Sequence, residues 1–169
     1  MFRDLKSNEI DVRIAQITEK GLSLLLYKDA RVDQDILDET VGATNWKREH
    51  TRENANCIVS IYDSEKKEWV SKEDTGTESF SEAEKGLASD SFKRACVNWG
   101  IGRELYSSPS IITFPRQDMV AKGKDSEFFL NDKGKYTTKT YFYVELIDYD
   151  NNDNISDLII RDNKNNIRF

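Results

Sequence analysis

The chain predicts an α+β fold, and three stretches carry that prediction. Cys57, Val59 and Ile61 alternate with Ile58, Ser60 and Tyr62 in the period of a strand. After a turn at Asp63 to Lys67, Trp69 and Val70 begin a return strand, so residues 55–75 read as an antiparallel hairpin. In SEAEKGLASDSFKRACVNWG, Ser81 followed by Glu84 has the form of a capping box, which predicts a helix start. Leu87, Ala88, Phe92, Ala95, Cys96 and Trp99 then recur at three- and four-residue steps, while Lys85, Ser89 and Lys93 line another face and Gly100 stops the helix. Third, TYFYVELID within Lys139 to Asp148 alternates clearly, and with Leu158–Arg161 and Ile167–Phe169 it reads as a terminal β-meander.

The remaining elements follow in chain order. EIDVRIAQI, residues 9–17, reads as helical or extended, with Ile10, Ile14 and Ile17 on one side. GLSLLLY, residues 21–27, is an apolar run suited to a buried strand, bounded by Gly21 and the polar Lys28-Asp29. Val32, Ile36, Leu37 and Val41 keep helical spacing, Asp33 and Asp35 favour the positive end of the dipole, and Gly42 is a stop, so 31–41 is a predicted helix. Ile111, Ile112 and Phe114 before Pro115 suggest an edge strand or a packed extended segment. The polar, Gly-containing residues 117–136 are the candidate mobile loop or linker.

A length of 169 residues with 37% hydrophobic content is enough for one domain with its own core. No apolar run approaches the roughly 20 residues needed to cross a bilayer, and MFRDLKSNEIDVR lacks a signal-peptide core, so a cytoplasmic protein without membrane contact is expected. Cys57 and Cys96 lie in apolar surroundings and read as buried free thiols. The net charge of −6 weighs against nucleic-acid binding unless the cations cluster away from the acids, because attraction to phosphate fades over about 8 Å at physiological salt. The order of residues permits such clustering: Trp46 to Arg52 is locally basic, as is the helix end with Lys93, Arg94 and Arg103. Acids concentrate instead at Asp33–Glu39 and Asp148–Asp157.

Patterns for catalysis are weak. His50 is the one histidine, it lies in a polar basic segment, and no Gly-x-Ser-x-Gly elbow accompanies it, so it reads as a surface residue. Gly100-Ile-Gly102 begins like a dinucleotide fingerprint, yet a helix precedes it and Leu105 holds the third glycine position. Asp148-Tyr-Asp-Asn-Asn-Asp resembles a calcium loop but lacks the glycine at position six and the glutamate at twelve, which makes a hairpin turn the better reading. With no phosphate-binding loop of the Walker type, no cofactor or metal is expected and no ATP-driven motor. Trp46, Trp99 and Tyr62 read first as core anchors at element ends, although such rings can also stack on bases. Arg31, Lys47, Arg48, Lys93, Arg94 and Arg103 flank turns and helix ends, where side chains can converge on a strand's phosphates.

EDTGTES followed by SFKRACVNWGIGRELY resembles the segment linking the central hairpin to the long helix in the Rad52-type single-strand annealing proteins, the phage Sak-like recombinases among them. The similar features are the acidic-Gly strand end at Asp74–Gly76, the Phe-Lys-Arg-Ala step at Phe92–Ala95 and the aromatic-Gly pair Trp99-Gly100. YKDARVDQDILDETVGATNW is similar to the family's earlier strand, Arg-bearing turn, helix and Gly-to-Trp segment, so the resemblance spans about residues 9–106.

The resemblance implies a strand-strand-strand-helix annealing core within residues 1–116, which also hold a short N-terminal strand or helix. The loop or linker at 117–136 and the meander at 137–169 would complete the same domain. Arg31 falls on the family's inner-groove arginine and Lys93 on a lysine that contacts DNA outside that groove, whereas Lys47, Arg48, Arg94 and Arg103 follow by proximity and charge. The implied activity is single-stranded DNA binding and ATP-independent annealing by a homo-oligomeric ring or filament, in phage recombination or repair within a bacterial host cell. A single-strand binding protein or a phage exonuclease would be the further partner. A non-catalytic protein-interaction module on the same fold is the second reading and a nuclease the third.

Overall fold

The computed structural model describes residues 1–77, 83–116 and 126–169. The fold is α+β, as the sequence predicts, and the described strands pair antiparallel throughout. Chain contacts divide it into two compact units.

The first unit comprises Met1–Asp4 and Asp29–Arg103. Helix α1 is Ala30–Val41, and its N-cap Asp29 accepts the Arg31 amide at 2.8 Å, meeting one of the orphan donors of a helix start. Gly42 ends it at φ +88°, a conformation that a Cβ disfavours. Three strands follow, β3 at Trp46–Thr51, β4 at Asn56–Asp63 and β5 at Glu68–Thr75, in the order β3-β4-β5. The expected hairpin is β4 and β5, with Val59 opposite Lys72 and Tyr62 opposite Trp69. Most of the locally basic segment, Trp46–Thr51, is a third strand, which the polar sequence WKREHT did not announce. Helix α2 is Ala83–Trp99. The expected cap at Ser81 lies outside the described residues.

Cys57, Val59 and Ile61 of β4 are buried, as are Leu87, Phe92, Ala95 and Cys96 of α2 and Ile36 and Leu37 of α1. Cys57 and Cys96 form no disulfide and are both buried, matching the expectation for them. Gly76 explains the acidic-Gly word at the end of β5. A Cβ there would stand 2.7 Å from the Ser91 nitrogen and 3.0 Å from the Leu87 carbonyl, so only a bare Cα lets the chain pass this close to α2. Beyond it, the Thr77 amide donates to Asp90 at 2.8 Å. The C-terminus of α2 closes with Gly100 at φ +102° and an Ile101 amide bonded back to Cys96 at 3.1 Å, the Schellman arrangement.

The second unit comprises Leu5–Lys28 and Glu104–Phe169. Its strands are β1 (Asp11–Ile17), β2 (Leu22–Tyr27), β6 (Ile111–Thr113), β9 (Phe142–Tyr149) and β10 (Ile155–Asp162), in the order β10-β9-β1-β2-β6. Residues 9–17, left open between helix and strand, are mainly β1, and the expected edge strand is β6. The C-terminal hairpin β9-β10 is joined to the sheet through Asp11 opposite Tyr143. Between the two hairpin strands, Asp150 accepts the Asn152 and Asn154 amides in the turn once compared with a calcium loop. Leu22, Leu24, Ile111, Phe128, Phe142 and Ile160 form the core.

Within the expected loop 117–136, residues 117–125 lie outside the described ones. The rest is ordered: β7 (Phe129–Leu130) pairs with β8 (Tyr136–Thr137), and Phe128 is in the core. Next to it, the buried Glu127 accepts from Arg168 at 2.6 Å, and Arg168 also donates to buried Asp162 at 2.9 Å and to the Phe114 carbonyl at 2.8 Å. This charge network joins the end of the chain to β10 and to the segment after β6.

Candidate nucleic-acid interface

The candidate cations of the first unit divide according to what already engages them. Arg103 donates from Nη2 to the Val97 carbonyl at 2.9 Å and to that of Asn98 at 3.4 Å. Lys72 donates to the Asn98 carbonyl at 2.7 Å, so two cations meet the negative end of the α2 dipole. Lys72 also lies 4.7 Å from the centre of the Trp99 ring, whose indole N–H bonds the Val59 carbonyl at 3.0 Å. Arg94 pairs with Asp90 one turn earlier on α2, at 3.1 Å. Arg94 and Arg103 are therefore held by α2 itself.

Arg31, Lys47, Arg48 and Lys93 differ, since none has a carboxylate partner among the described residues. Arg31 is exposed in the first turn of α1. Arg48 lies against one buried ring, its guanidinium 4.8 Å from the centre of Phe92; Lys93, the next residue on α2, is turned about 100° around the helix from that ring. Trp46 stacks on the same ring at 6.1 Å and donates its indole N–H to Asp38 of α1 at 2.6 Å. Phe92 of the Phe-Lys-Arg-Ala step thus points inward and seats a cation from β3.

Lys47 does not join this group. Alternation along a strand sends Trp46, Arg48 and His50 to one face and Lys47 and Glu49 to the other. Lys47 instead lies 4.5 Å from the ring centre of Trp69. Neighbours in sequence, grouped above as one basic segment, serve opposite faces of the sheet.

His50 is not a solvated surface residue, as its polar context suggested. It is half-buried, with Nδ1 3.4 Å from the Ser91 hydroxyl, and burial followed by the Arg48 charge lowers its pKa, opposed by a hydrogen bond that the ring donates to the Asn56 backbone. Across the strands it stands in register with Cys57 and Asp74. Burial raises the Cys57 pKa to about 11, with Arg48 opposing, so this sulfur is held as a packed thiol.

The aromatic residues separate in the same way. Trp46 and Trp99 are half-buried with bonded N–H groups and serve as the anchors expected of them. Tyr62 does not: it is 38% exposed, beside Trp69 at 42%. The sequence reading took Trp69 only as the start of the return strand; the turn closes at Asp63 opposite Glu68, which sets Trp69 opposite Tyr62.

A family model described as "Rad52/22 family double-strand break repair protein" matches residues 2–120. The comparisons with curated proteins and with solved structures give no match. The matched range holds all of the first unit but Met1, with Arg31, the β4-β5 hairpin, the Gly76 approach and the Phe92–Ala95 step. At the family level this means DNA recombination and repair by annealing, with DNA binding and self-association, by proteins that are in general not enzymes. The chain belongs to the Rad52/22 family.

Proposed function

We propose that this protein binds single-stranded DNA and anneals complementary strands without ATP, as a homo-oligomeric ring or filament, in phage or prophage recombination in the host cytoplasm. The observation that carries the reading is the set of cations without carboxylate partners among the described residues, Arg31, Arg48 and Lys93 foremost, in a chain of this family. Arg31 and Arg48 hold the phosphates of one strand so that base edges face outward, and Lys93 helps a second strand dock for pairing. The free energy comes from stacking and pairing in the duplex that forms. Each protomer binds weakly, while an oligomer engages many phosphates on one strand and gains avidity.

Gel shifts and annealing of complementary oligonucleotides test this directly. The parent is expected to prefer single strands over duplex, to lose affinity as salt rises, and to speed annealing without nucleotide. Arg31→Ala and Lys93→Ala should weaken both activities with little change in thermal stability; variants that anneal like the parent refute these assignments.

The net charge of −6 favours a second reading, a recombination accessory module that binds protein on the same fold. It predicts no shift of single strands at micromolar protein in low salt.

A further inference from the structure

We propose that Trp69, with Tyr62 beside it and Lys47 above it, is a base-stacking subsite for single-stranded nucleic acid on the face of the β3-β4-β5 sheet opposite α2. The inference rests on the strand binding proposed above and gives Lys47, one of the six candidate cations, two aromatic partners that the cation set does not include.

The register places the parts. Tyr62 stands directly opposite Trp69, their ring centres 5.5 Å apart and inclined at 62°. In the next row Lys47 is opposite Ser60 and Ser60 opposite Ser71, with the two hydroxyls 2.8 Å apart. Small side chains there leave Lys47 a path across β4 to the Trp69 ring, where its ammonium rests 4.5 Å from the centre.

Trp69 differs in kind from the other two tryptophans. Their indole N–H groups bond Asp38 and the Val59 carbonyl, and their rings are half-buried. The Trp69 N–H has no partner among the described residues, and 42% of the residue is exposed. A large ring kept in water with a cation on its face is matched to a nucleotide. A base can replace the ammonium on the ring, because an exposed cation–π contact is weak, and the released ammonium then meets the phosphate.

A protein partner fits this face less well. Beyond the two rings it presents Ser60 and Ser71 and then a single aliphatic residue, Ile58, flanked by Glu49 and Glu73; serine and glutamate are depleted from the centres of protein interfaces. Glu49 and Glu73 lie in the row beyond the serines, so a strand approaching the face is steered toward the aromatic end and Lys47.

The test compares an oligothymidylate with an abasic oligomer of equal length, which keeps the phosphates and removes the bases. The parent is expected to bind the oligothymidylate more tightly and to show quenched tryptophan fluorescence with it alone. Trp69→Ala should abolish the quench and weaken oligothymidylate binding about tenfold to a hundredfold, the effect of one lost stacked base, while abasic binding stays unchanged. Trp69→Phe should also lose the quench but keep most of the affinity, which preserves the decision if Trp69→Ala fails to fold. Equal binding of the two oligomers by the parent, or unchanged binding by the folded Trp69→Ala variant, overturns the subsite and points to a protein-facing role for the rings. Failure of the parent to bind either oligomer removes the proposed function instead.

Discussion

Arg168 shows how much one residue can hold. Its guanidinium serves two buried carboxylates and a carbonyl and lies 5.5 Å from the Phe142 ring centre. Arg168→Met should destabilise the protein by about 3–5 kcal/mol in denaturant unfolding, because Glu127 and Asp162 would be left buried without their cation. Asp162 supplies a pH signature. Burial raises its pKa, but bonds from the Asn166 amide, Arg168, the Asn166 side chain and the Lys164 amide outweigh this and bring it from 3.8 to about 2. A depressed folded pKa gives stability that is present above 3.8 and lost as pH falls toward about 2. Unfolding measured across that window should show roughly 2–3 kcal/mol of loss from this group, absent in Asp162→Asn. No local pattern announces the network, since Glu127 sits in a polar run, far along the chain from Arg168, and no periodicity links them. The cations were visible as residue types, yet their engagement was not: nothing local shows that Arg103 caps α2 or that Lys47 and Arg48 part to opposite faces.

At the scale of elements, local signals were the legible ones. α1 declared itself through four apolar positions and Gly42, and the β4-β5 hairpin through alternation around a polar turn. β3 stayed hidden because its covered face is Trp46, Arg48 and His50, where ring and aliphatic stem cover Phe92 in place of apolar side chains. The joint between β5 and α2 is the most demanding. Gly76→Ala should lower stability by about 1–3 kcal/mol, as over-packing does when the obstructing atoms are backbone. Arg103→Ala should have a different profile: a drop of about 0.5–1 kcal/mol from the lost helix-end contacts, with the salt dependence of strand binding unchanged. Thermal melts and salt titrations of the same variants separate these effects.

For the molecule as a whole, the proposed activity is a sum over sites and protomers, and salt is its natural probe. The slope of log affinity against log salt should shrink by about 0.7 for each phosphate contact removed from a single strand. Arg31→Ala and Lys93→Ala should therefore combine additively in that slope when titrated singly and together. The chain's route through its two units has a consequence for biogenesis. The first hairpin leaves the ribosome early, but Leu22 and Leu24 share their core with Ile111, Phe128, Phe142 and Ile160, of which the last three come from the last third of the chain. Until that third is synthesised, a greasy two-stranded ribbon must wait unsheltered while the intervening unit is free to fold, so the nascent protein is a natural client for chaperones that shield β-structure.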